Sequence, residues 1–195
     1  MPDTLTLRIE LMHVKPKVIR TFKVSSNSSM YELHFIVQRV MGWNDSHLHR
    51  FEVGDVMIQP KDPYGFGGFD DFGETKDSSK VKVGKVFAKV GSKAKYEYDF
   101  GDGWMHKLEL VERSESSNTE VLPVVVSGKN ACPPDDSGGP WGYMALVDIL
   151  KDPQHKYYNE RKEWVDAVMG KDKFNPKKYS VEAVNERLVK MYEEE

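Results

Sequence analysis

The 195-residue chain has a single cysteine, Cys132. An intramolecular disulfide is therefore excluded, and the fold must hold by packing, as expected in a reducing cytosol. No apolar run approaches the roughly 20 residues that span a bilayer. The opening MPDTLTLRIE lacks the basic start and apolar centre of a signal peptide, so the expected location is cytoplasmic. An excess of either charge is missing too. With 28 Lys and Arg against 31 Asp and Glu, the net charge of -3 gives no general attraction to nucleic acid or anionic membrane. The local exception runs from Lys76 to Lys95, where Lys76, Lys80, Lys82, Lys85, Lys89, Lys93 and Lys95 face only Asp77. Such a stretch reads first as a solvated face, with nucleic-acid contact as the weaker alternative. Internal repeats are also absent.

What is present suits one α+β domain over 1–195, with a sheet-rich part at 1–126 and an acidic loop plus helices at 127–195. Thr4 to Met12 alternates, with Leu5, Leu7, Ile9 and Leu11 on one side. After Lys15-Pro16-Lys17, Val18 to Val24 resumes as a second strand with Val18, Phe22 and Val24 inward. Ser29 and Glu32 stand at capping-box spacing before Leu33, Ile36, Val37, Val40 and Met41, and Gly42 closes that helix. Asn44-Asp45 turns the chain into a strand over His47 to Val53. This ββαβ start is β-grasp-like. Pro60 to Ser79 reads as a loop containing YGFGGFDDFGE, and Val81 to Val90 is open between helix and strand. Tyr96 to Glu112 is a further β-hairpin, and Val121 to Val126 is a short strand. About three helices then cover the sheet: Trp141 to Leu150 after Pro140, His155 to Met169 with Trp164, Val165, Val168 and Met169 on one stripe, and a last helix capped by Ser180 that presents Val181, Val184, Leu188 and Met191.

The hairpin YEYDFGDGWMHKLEL carries the chemistry-bearing residues. Its DFG is not a kinase motif, because the Gly-rich nucleotide loop and the catalytic loop are missing. Asp99 and Asp102 lack the further ligands of a calcium loop, and Gly84-Lys85 lacks the spacing of a phosphate loop. Two registers compete. A two-residue turn at Asp102-Gly103 sets Asp99 opposite His106 but mixes the faces. A three-residue loop, Gly101-Asp102-Gly103, pairs Phe100 with Trp104, Tyr98 with His106 and Tyr96 with Leu108 on one face. It also pairs Glu97 with Lys107 and Lys95 with Glu109 on the other, and it is preferred because it explains more residues.

Two clusters are candidates for a site. His47 and His49 alternate along one strand face, and with His106 they could hold a metal. CPPDDSGGPWGY places Asp135 and Asp136 just before a helix, where capping is the simple reading and a carboxylate–histidine site with His106 the sharper one. The runs HLHRFEVG, YEYDFGDGWMHKLEL, GKNACPPDDSGGPWGY, DPQHKYYNERKEWV and FNPKKYSVEAVNERL resemble the Ri-plasmid open-reading-frame-three-like family, also described as insertion-element passenger proteins. The resemblance implies membership of a family without an established biochemical activity. It also implies a departure: where many relatives carry two more cysteines that could join the equivalent of Cys132, this chain has Val124-Val125-Val126 and Ser137, which disfavours a cysteine-rich metal site. The expected function is a non-enzymatic binding or interaction module associated with mobile elements, with a groove formed by Trp104, His106, Asp135, Asp136, Trp141 and Tyr143. Its expected partner is a protein or small ligand rather than nucleic acid or membrane, with no cofactor. The alternative is a divalent-metal-dependent hydrolase or nuclease using His47, His49, His106, Asp135 and Asp136.

Overall fold

The computed structural model describes residues 2–61, 74–116, 121–171 and 174–193, with side chains through 190. Among them, eight strands form one sheet accompanied by five helices. The strands are β1 (Thr4–Leu11), β2 (Ile19–Ser25), β3 (His49–Val53), β4 (Val56–Gln59), β5 (Glu74–Asp77), β6 (Lys93–Tyr98), β7 (Trp104–Ser114) and β8 (Val124–Lys129). The helices are α1 (Met30–Met41), α2 (Val83–Val86), α3 (Gly139–Lys151), α4 (Tyr158–Met169) and α5 (Val181–Glu193). The mixed α+β class is as read from the sequence.

The β-grasp likeness of the start goes no further than the order ββαβ along the chain. Across the sheet the order is β5-β4-β3-β6-β7-β1-β2-β8, so the β6–β7 hairpin lies between β1 and β3. Every pairing is antiparallel except β4 with β5. Several element boundaries also differ from the sequence reading. Of the expected Pro60 to Ser79 loop, 62–73 falls outside the described residues, while Glu74–Asp77 is strand β5. The ambiguous 81–90 segment contains the single helical turn α2. Strand β8 begins three residues later than expected, and α4 begins at Tyr158 with only Val165 of its expected stripe buried. That stripe failed because the face it was assigned is half solvent: Val168 and Met169 are exposed.

Local signals placed α1 correctly. Ser29 Oγ accepts from the Glu32 backbone N–H at 3.1 Å, and the Glu32 carboxylate accepts from the Ser29 N–H at 2.5 Å, so both halves of the capping box form. Gly42 ends the helix at a φ of 109°, a region glycine enters without a Cβ clash. Leu33, Ile36, Val37 and Val40 are fully covered, as are Leu5, Leu7 and Ile9 of β1. Val184 and Leu188 of α5 and Tyr143 and Val147 of α3 join the same core.

The hairpin corrects the expected register. Tyr98 stands opposite Trp104, Tyr96 opposite His106 and Ala94 opposite Leu108, leaving five loop residues, 99 to 103. Asp99 makes the longer loop hold together. In the left-handed region at φ 55°, its Oδ1 accepts from the N–H groups of Gly101 (2.9 Å) and Asp102 (3.3 Å), and its carbonyl accepts from Gly103 at 2.7 Å. A slip of two residues preserves the face of every side chain, so Tyr96, Tyr98, Trp104, His106 and Leu108 remain inward and buried. The charge pairs do change. Lys95 faces Lys107, and Glu97 turns instead to Arg50 of β3 at 2.7 Å. Phe100, expected inside, lies in the loop with the Arg50 guanidinium 5.2 Å above its ring.

Candidate functional site

The inward hairpin residues build an aromatic floor at one end of the sheet. The Trp43 ring lies 4.8 Å from Tyr98, 6.0 Å from Trp104 and 5.2 Å from His106, the last edge-to-face. Its indole N–H donates to the Pro133 carbonyl at 3.1 Å and so ties down the loop that carries Asp135 and Asp136. A second tie comes from the hairpin tip, where Asp102 Oδ2 accepts from the Gly138 N–H at 3.1 Å. Gly139 permits this approach: a Cβ there would sit 2.3 Å from the Asp102 carbonyl oxygen. Hairpin tip and acidic loop are thereby fixed against one another.

Into that junction the α1–β3 connection delivers His47. Its Nε2 lies 3.4 Å from Asp136 Oδ1 and 3.7 Å from Asp99 Oδ2, and one donor atom from each of the three residues lies within 4.8 Å of the others. Nε2 is shielded from solvent and has no hydrogen-bond partner of normal geometry, as is also true of Asp135 Oδ1. Asp136 is 74% exposed, so the cluster opens to solvent on that side. Burial, with the Asp136 and Asp99 charges beside it, pushes Asp135 up to about 6, while His47 acts in the opposite sense. Asp99 and Asp136 both hold positive φ, a conformation Asp tolerates better than most residues.

A second cluster lies beneath α1. His34 Nε2 meets Asp45 Oδ1 at 2.7 Å and His34 Nδ1 meets the Tyr96 hydroxyl at 2.9 Å. Gln38 donates to the same hydroxyl at 2.9 Å, and its Oε1 accepts from the Asp45 N–H at 2.9 Å. One proton arrangement satisfies this ring: neutral His34 donates from Nε2 to Asp45 and accepts from Tyr96 at Nδ1. The His49 ring stacks on His34 at 3.4 Å between centroids. Burial holds His34, His49 and His106 down at about 3, so all three are neutral. With both His34 nitrogens engaged within the protein, this set reads as a structural polar network rather than a ligand cage.

The sequence candidates are thus divided. His47 and His49 do not share a strand face, because a bend at His47 delays β3 until His49; His47 joins the acids and His49 joins His34. His106 is fully buried, with Nδ1 on the Tyr96 carbonyl at 3.2 Å, and belongs to neither histidine–carboxylate group. Trp104 and Tyr143 are buried, and Trp141 is 81% exposed. The sequence reading missed Asp99 as a partner of His47, and it missed His34 and Asp45 altogether. His34 did leave a signal: it sits four residues after Met30 and three before Val37, on the buried stripe of α1.

The profile of the plasmid pRiA4b ORF-3-like proteins matches residues 3–183. The chain belongs to that family. An uncharacterized protein of Sinorhizobium fredii is 36% identical over 164 residues, covering 83% of this chain and 80% of the relative. The crystal structure of a protein of unknown function from Methanosarcina mazei Go1 superposes with a TM-score of 0.81 at 28% identity, covering 94% of this chain and 98% of the other. The span matched to the plasmid pRiA4b ORF-3-like family contains both histidine clusters and the acidic loop. Neither relative has a known function. No helix among the described residues is long and apolar enough to cross a membrane.

Proposed function

We propose that this member of the plasmid pRiA4b ORF-3-like family is a binding module whose ligand is a divalent cation held by His47, Asp99 and Asp136, with Asp135 alongside. One observation carries the reading: a solvent-shielded imidazole nitrogen without a hydrogen-bond partner, 3.4 and 3.7 Å from two carboxylate oxygens. Donors about 2.0–2.2 Å from one ion lie about 3–3.6 Å apart, so these distances need only slight closure. A cation would also offset the charge concentrated on three neighbouring carboxylates. One imidazole among carboxylates favours zinc or manganese over calcium or magnesium. The Tyr98 ring packs edge-on against His47 at 5.7 Å, and Trp43 joins Tyr98 to the buried Trp104 and His106. The exposed Trp141, five residues after Asp136, would give the site an apolar rim for a protein or small ligand. The buried thiol of Cys132 is in keeping with a reducing cytoplasm.

Calorimetric titration of metal-free protein with zinc and manganese tests this reading. One ion per chain is expected, with binding abolished in H47A and in D136N. Absence of stoichiometric binding, or binding that survives H47A, would defeat it. Asp135 favours metal-assisted hydrolysis as a second reading, because a carboxyl pushed up to about 6 exchanges a proton near neutral pH. Turnover of bis(p-nitrophenyl) phosphate by the metal-loaded protein, lost in D135N, would support it; turnover no faster than metal in buffer would remove it.

A further inference from the structure

Arg20 stands on β2 at a position where the alternating pattern calls for a core residue, and it is fully buried. Its Nε donates to the Val40 carbonyl at 3.2 Å, and one terminal nitrogen donates to the carbonyls of Ile19 and Lys129, both at 2.8 Å. The guanidinium stacks 3.7 Å above the Tyr179 ring. These contacts satisfy hydrogen bonds but bring no opposite charge, and no carboxylate among the described residues pairs with Arg20. The charge of Arg187 is close enough to disfavour that of Arg20, and Arg187 likewise has no ion pair among the described residues. Burial keeps the other ionisable neighbours, Cys132 and Tyr179, neutral by raising both above their ordinary ranges. An uncompensated buried cation facing a second cation is an expensive arrangement.

The two arginines meet in a cavity of about 230 Å³ that α4 and α5 close over the end of α1 and the loop after β8. Ser180, Ala183, Val184 and Arg187 line one wall at the i, i+3, i+4, i+7 spacing of a single helix face. Ser180 caps that helix, its Oγ accepting from the Ala183 N–H at 3.2 Å, so the positive end of α5 also opens here. Lys178 stands at the rim. Asp135 is the one acidic residue in the lining; its charged neighbours are His47, Asp136 and Asp99 rather than the arginines.

We propose that this cavity is a second binding site, distinct from the cation cluster, which takes a phosphoryl group between Arg20 at its floor and Arg187 and Lys178 at its mouth. The planar guanidinium fork of Arg187 matches a pair of phosphate oxygens, while Arg20, whose Nε and one terminal nitrogen are held by carbonyls, adds its charge from the floor. Three cations match a dianion better than a single carboxylate. The volume lies below the roughly 300 Å³ at which drug-sized pockets begin, so the site holds inorganic phosphate or the charged end of a phosphomonoester, not a whole large ligand.

The test is titration of metal-free protein with inorganic phosphate, adenosine monophosphate and acetate at low ionic strength, followed by calorimetry and by the Arg20 Nε–H resonance. Saturable phosphate binding that shifts this resonance is expected, weakened about tenfold in R187A, less in K178A and not at all in H47A. Equal affinity for phosphate and the nucleotide assigns free phosphate; a tighter nucleotide assigns the phosphomonoester; either supports the site. No saturable binding, acetate binding as tightly as phosphate, or phosphate binding lost in H47A but kept in R187A would overturn it. Arg187 and Lys178 are exposed, so neither substitution threatens the fold.

Discussion

His106 offers a sharp quantitative prediction, because the sequence places it in both candidate sites and it is a buried core residue in the structure. Burial holds it down at about 3 in the folded protein, against 6.5 when unfolded. Between those values the unfolded chain takes up a proton that the folded chain refuses, so stability is lost as pH falls below 6.5. The loss is about 1.4 kcal/mol per pH unit, or about 2 kcal/mol by pH 5. The perturbation is His106→Gln, which retains a donor for the Tyr96 carbonyl and removes the titration. Urea unfolding of both proteins at pH 7.5 and 5.0 reads a double difference in which the variant's own packing defect cancels. The wild type should lose about 2 kcal/mol more than H106Q over that interval. Equal losses would refute the reasoning, because they would mean that His106 is protonated in the folded state. His34 and His49, also held at about 3, act with the same sign.

Asp135 should behave oppositely. Raised to about 6, it binds a proton more readily in the folded than in the unfolded state, so it destabilises metal-free protein progressively as pH rises from about 4 through 6. D135N should therefore be more stable at pH 7.5 by about 1 kcal/mol after discounting for partial exposure, and a less stable variant in a thermal melt would contradict this. Gly139→Ala drives a Cβ to 2.3 Å from the Asp102 carbonyl at a φ of 66°, and should cost about 2–3 kcal/mol while also weakening cation binding. Gly54→Ala is its control: φ is 59° with nothing within 4 Å, so denaturant unfolding should show a loss of only about 1 kcal/mol.

The amino-acid sequence by itself determined the elements governed by neighbours along the chain. The α1 capping box, the inward stripe of β1, the two-sided pattern of the long hairpin and the helical cover at the end all follow from spacings of two to four residues, which set local hydrogen bonds and faces. The hairpin register was within two residues of correct for the same reason: a shift of two leaves every face unchanged, so the burial pattern could not choose between the registers. Asp99 chose, through loop hydrogen bonds and through its N–H donating to the Leu48 carbonyl just ahead of β3. The site depended still more on tertiary structure. His47, Asp99 and Asp136 lie 37 or more residues apart along the chain, with Asp99 and Asp136 in left-handed turns, and they meet because the β6–β7 hairpin inserts beside β3 and Trp43 pins the acidic loop. Arg20 was legible only as a polar residue out of pattern in a strand. That it lies on the floor of a cationic cavity depends on α5, some 160 residues later, folding back over it, and no local spacing encodes that return.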